Sequence, residues 1–257
     1  LDLQAQDPTF GFMFHKPLHE LLEENYSYAS VLHWCGIDAF DYLGETLADV
    51  CKIKNVNTRN VEEALKQLHE KSEYSFARLQ RMSPSEMCNY LKQTHHHYSQ
   101  RMLPVIEHHI QQTAFEHHKQ YPQLLLLDKI FATFKDGFLK HIRYENESVF
   151  VYIKKLEKFT IDFRHNVLLE LKDFSMGDFI MKHHHDDDEM LSIRKLLDNY
   201  SISKDDHLAY KVLMHELKTF ESDLKAHSLI EEDMLIPRAI KMEEKLQRKI
   251  AEKISLN

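Results

Sequence analysis

Two histidine–glutamate pairs stand at the same spacing in this chain, His141 with Glu145 and His227 with Glu231. Residues four apart share one face of an α-helix, so each pair presents an imidazole nitrogen beside a carboxylate. Apolar residues recur at helical spacing around both. Leu127, Phe131, Phe134 and Phe138 precede the first pair, and Ser148 and Tyr152 follow it; Leu213, Leu217, Phe220 and Leu224 lead into the second, which continues to Met234. Each pair therefore lies on the stripe of a helix that faces a core. A buried carboxylate without a partner is costly, so a cation is expected to meet it there.

One such pair alone would be an ordinary solubilising feature of a helix surface. A lone histidine on an apolar stripe is more often a hydrogen-bonded core residue than a ligand. Two pairs on two core stripes shift the reading to a metal site. His96 and His185 add one inward-facing histidine on each of two further predicted helices. At about 1.5 Å rise per residue, the four histidines come level within roughly one or two turns. The candidate ligands are His96, His141, Glu145, His185, His227 and Glu231. Such N and O donors suit iron or manganese and do not separate the two. Carboxylates on opposed helices can each bridge two ions. His117 shares the stripe of His96 but lies about 30 Å along a continuous helix, too far for the same ion. Glu189 reads equally as a seventh ligand, a proton-handling group or acidic surface. The run Asp186–Asp188 reads as a solvated face.

The elements that must position these residues are helices. Residues 1–80 form a small helical unit, with a helix over about Leu18–Trp34, a second from Thr46 to about Lys54 and a third from Asn60 to about Lys71. Its core is thin, so it is expected to lean on another element. Residues 81–257 form the bundle. Ser83-Pro84-Ser85-Glu86 carries a capping serine, a proline at the first helical position and a glutamate at the third. That helix carries His96, Ser99, Leu103, Ile106, Ile110, Thr113 and His117 on one stripe and stops near Pro122. Pro104 lies inside it as a kink signal. A central helix covers about Gln123–Leu156, and Phe159–Asp173 reads as a connector. Ser175 caps a third long helix, and Ser203–Asp206 opens a fourth, which Pro237 interrupts. Four long helices with short connectors make an antiparallel four-helix bundle.

Composition agrees with an all-α protein: 257 residues include only five Gly and six Pro, with 43% apolar and 29% charged residues. The formal charge of -8 argues against nucleic-acid and anionic-membrane partners. No apolar run approaches the roughly 20 residues of a membrane span. The first twenty residues lack a secretory apolar core. Three widely spaced cysteines, Cys35, Cys51 and Cys88, read as a reduced cytoplasmic protein. Histidine is the outlier, with 19 in the chain.

At three places the chain resembles a known family. The run His141 to Phe150, the element around His183, His185 and Asp186, and the run from Asp223 through His227 and Glu231 to Pro237-Arg238 resemble a hemerythrin-like domain. The run Thr94 to Pro104 and the domain order make it similar to the iron–sulfur cluster repair proteins of the RIC/ScdA/YtfE type. The resemblance implies a non-haem di-iron centre with two iron ions. His96, His141, His185 and His227 would be terminal ligands, and Glu145 and Glu231 the bridging carboxylates. It further implies a protein that restores iron–sulfur clusters damaged by nitrosative or oxidative stress by supplying iron, a metal donor more than a turnover enzyme. Its partners would be damaged iron–sulfur proteins and small ligands such as O2, NO or peroxide, and a homodimer is compatible with it. His117 also matches a histidine common in the family. The chain departs from the family in its first domain. Gly36-Ile37-Asp38 is present, but Phe40 and Asp41 stand where paired cysteines are usual, while Cys51 keeps a later family cysteine. Glu189 falls where a small residue is common. An O2- or NO-binding sensor or carrier and a di-iron NO or peroxide reductase are the alternative functions, and a metal-free structural bundle is the remaining one.

Overall fold

The helix ends follow local signals in the sequence. Ser83 accepts the Glu86 amide at 3.2 Å while Glu86 Oε2 accepts the Ser83 amide at 2.7 Å, a reciprocal capping box ahead of the helix Pro84–His97. Thr46 accepts from the Asp49 amide to open Leu47–Ile53, and Ser175 accepts from the Asp178 amide to open Met176–Lys182. The helix expected over Leu18–Trp34 is instead two, Leu18–Glu24 and Tyr28–Trp34. Between them Asn25 takes an extended backbone and its side chain accepts the Ser27 amide, a local alternative to the helical ladder.

The computed structural model describes residues 12–69, 76–163, 171, 174–182 and 190–255. Among the described residues the secondary structure is helical throughout, apart from one isolated bridge between Pro17 and Thr46. No described helix is long and apolar enough to cross a membrane. The expected connector is helical at its start, because Phe150–Ile161 runs past Phe159.

The chain divides into two compact units, each gathered from three segments. One unit joins residues 1–73 with 101–131 and 192–220; the other joins 74–100, 132–191 and 221–257. In the first, Leu18, Leu22, Leu32, Ile37, Val50, Val61 and Leu65 bury together with Val212 of the helix Leu208–Ile230. The thin core of the N-terminal segment is thus completed by a helix from late in the chain. In the second, Cys88, Leu91, Phe150, Ile153, Leu156, Phe179, Leu235 and Leu246 form a separate core.

Among the described residues, three π-helical turns interrupt long helices and shift their register. They cover Tyr98–Met102, Glu145–Val149 and Glu231–Leu235. In the last two, the carbonyl of the opening glutamate accepts from the amide five residues on, Phe150 and Ile236. Two of the turns directly precede a proline-bearing segment, Leu103-Pro104 and Ile236-Pro237. Proline cannot donate to the carbonyl four back and clashes with it, and a wider turn ahead of it relieves both problems.

Candidate metal centre

The register change decides which histidine faces inward. A 3.6-residue stripe read back from Leu103 passes through Ser99 and His96. The π turn adds one residue, so the buried stripe runs instead from Leu103 to Tyr98, His95, Leu91 and Cys88. One residue rotates a helical side chain by about 100°. His95 is therefore buried at 1% exposure, and His96 is exposed. His96 does not join the cluster, and His95 stands in the place expected of it.

The helices Leu124–Tyr144 and Leu208–Ile230 and the π turns that follow them carry the two pairs. His141 and His227 each lie one turn before their glutamate, and Glu145 and Glu231 are buried where the π turns begin. Nε2 of His95 and Nε2 of His227 lie 2.9 Å apart. Glu145 faces two imidazoles with different oxygens, Oε1 at 2.9 Å from His141 Nε2 and Oε2 at 3.4 Å from His95 Nε2. Glu231 Oε2 lies 3.8 Å from His227 Nε2. His95, Glu145 and His227 can converge on one ion, with ligand atoms within 4.8 Å of one another. His185 and Glu189 lie outside the described residues. His117 belongs to the other unit, where its ring stacks on His207 at 4.2 Å.

Electrostatics favour neutral imidazoles beside acids that need a positive charge. Burial pushes the pKa of His227 down to about 3, with His95 adding to the effect. Burial also lowers that of His95 against the opposing pull of Glu145 and Asn146. Asn146 Oδ1 lies 3.1 Å from His95 Nδ1. A protonated Nδ1 donates there and leaves the Nε2 lone pair directed at the cluster. Burial raises the pKa of Glu231 well above the usual range, and the charge and hydrogen bond of Glu145 push it further, followed by Glu232. Without a cation, the acid pair keeps a proton. Glu231 Oε1 and His227 Nδ1 are buried with no hydrogen-bond partner among the described residues. This donor set fits a metal: a cation would replace the retained proton and take up the imidazole lone pairs.

Packing and access complete the site. Phe150 stacks on the His95 ring at 5.6 Å and 10°. Tyr98 donates from its hydroxyl to the Asp223 carbonyl at 3.0 Å and meets the His227 ring edge at 5.8 Å. A cleft of about 580 Å³ opens beside His95, lined by Asn89, Gln93, His96, Ile142 and Asn146 among others. His141 is about one-third exposed. His95 and Asn146 are absent from the sequence-based set. Pro104 was the available signal for the first, because it marks the point beyond which the stripe slips.

No known protein family matches the chain, and no curated protein is similar enough to count as a relative.

Proposed function

We propose that the second unit is an antiparallel four-helix bundle of hemerythrin type that holds two non-haem iron ions, and that the protein supplies iron to iron–sulfur clusters damaged by nitrosative or oxidative stress. One observation carries the reading: the two oxygens of buried Glu145 face different histidines, His141 and His95. A carboxylate so placed suits sharing between two ions. His95, His141, Glu145, His227 and Glu231 would hold the pair, with His185 as the ligand expected from the third predicted helix. The hard N and O donors suit iron, and manganese by the same chemistry. When bound, iron supplies redox chemistry and open positions for small ligands such as O2, NO or peroxide.

The chain's own groups favour a donor. Glu145 and Glu231 can take up a proton as the cation leaves, which lowers the cost of release. The cleft beside His95 and the part-exposed His141 give a path outward. Thiol chemistry is not the chain's contribution. Phe40 and Asp41 replace the expected cysteine pair, and burial raises the pKa of Cys35, Cys51 and Cys88, the last to about 12. The free thiols and the acidic charge accord with a cytoplasmic protein that engages damaged iron–sulfur proteins rather than nucleic acid or membrane.

The test loads the full chain with isotopically labelled iron and mixes it with a cluster enzyme damaged by nitric oxide. The expected result is recovery of enzyme activity with transfer of the label. No recovery, or recovery without label, contradicts iron supply. Reversible gas binding without iron loss would assign the protein to the carriers instead.

A further inference from the structure

We propose that the first unit carries a separate binding site for a divalent transition-metal ion such as Zn2+, formed by His33, Asp38 and His108. The three offer one ligand atom each, all within 4.8 Å of one another. All three belong to the same compact unit and none to the Glu145 cluster. Two histidines and one carboxylate, with a position left open, are a donor set that Zn2+ takes in tetrahedral or five-coordinate form.

Local structure explains why these side chains meet. The helix Tyr28–Trp34 ends in Gly36 at φ +82, a left-handed position that L side chains rarely adopt. The Gly36 amide donates to the His33 carbonyl and the Ile37 amide to the Leu32 carbonyl, each at 2.9 Å, while Ile37 is fully buried. This reversal brings Asp38 back beside His33 of the last helical turn. His108 reaches the pair from the helix Leu103–His117, with Nε2 at 2.7 Å from Asp38 Oδ2.

Two further observations point to a ligand rather than to a plain ion pair. Asp38 Oδ1 is buried with no hydrogen-bond partner among the described residues. The His33 ring lies 4.8 Å from that of His108 and 5.7 Å from that of His109. Three imidazoles this close repel one another if charged, so the cluster suits a shared cation better than three protons. Behind the three, His109 Nδ1 pairs with Glu216 Oε2 at 2.7 Å, and Ser30 Oγ donates to Glu216 Oε1 at 2.6 Å. That buried pair fixes the helix face that presents His108. All three ligands are half-buried, so an ion can enter from solvent.

The probe is Co2+, titrated into the metal-free full chain and followed by its visible absorption and by equilibrium dialysis. Wild type should bind one equivalent that the Glu145→Gln, Glu231→Gln double variant retains. His33→Gln, Asp38→Asn and His108→Ala should each lose that equivalent or weaken it at least ten-fold, and Zn2+ should displace it. His33→Gln and Asp38→Asn alter half-buried residues conservatively, so they decide the matter if His108→Ala fails to fold. Unchanged Co2+ binding in both overturns the site, as does a double glutamate variant that binds no Co2+.

Discussion

Whether a side chain can serve as a ligand depends here on rotation by a single residue. His95 is aligned by Asn146 and clamped by Phe150, while its neighbour His96 lies on the rim of the cleft. His95→Ala should lower iron affinity by at least ten-fold, and His96→Ala should leave it within about two-fold. Asn146→Ala should weaken it by roughly 10–100-fold, the usual cost of removing a group that orients a ligand. Isothermal titration with ferrous iron under anaerobic conditions checks all three. The glutamates and their histidine partners were legible in the sequence because a spacing of four lies within one helical turn and does not depend on distant register. His95 was not, because its facing is set across the π turn at Tyr98–Met102.

The helix starts at Ser83, Thr46 and Ser175 were also legible, since each acts within three residues of its own position, whereas the helix expected from Asn60 begins at Thr58, where Asn57 accepts the Arg59 amide. Helix interruptions were read less well. Asn25 ends a helix through its own backbone and side chain, a competition that apolar periodicity does not register. The π turn at Glu145 lacks even the proline that follows the other two, Pro104 and Pro237. The turns at Glu145 and Glu231 share one construction, in which the carbonyl of a buried glutamate accepts from the amide five residues on, and this places both acids alike in their helices. Gly36 is the other point where an element depends on one residue. No atom lies within 4 Å of a Cβ placed there, so Gly36→Ala would act through its positive φ alone. It should destabilise the protein by about 1–2 kcal/mol, the cost of left-handed backbone for an L residue. Urea unfolding of the purified variant against wild type measures it.

On the scale of the whole molecule, sequence order does not follow the packing. The first unit gathers residues 1–73 with 101–131 and 192–220. Periodicity along a chain identifies a buried stripe but not what covers it, and Val212 was unreadable as the cover for Leu18 and Leu32. The metal is expected to stabilise by binding only the folded protein, by about 2.7 kcal/mol when free iron is 100-fold above its dissociation constant. Chelation should therefore reduce hydrogen-exchange protection in 84–97 and 221–245, and leave 47–53, which carries no proposed ligand, nearly unchanged. The most direct test of the central claim is iron content per chain after anaerobic reconstitution of the full-length protein. The account predicts two irons in wild type and loss of both when Glu145→Gln and Glu231→Gln are combined. Well under two irons in wild type, or equal iron in the double variant, would contradict it.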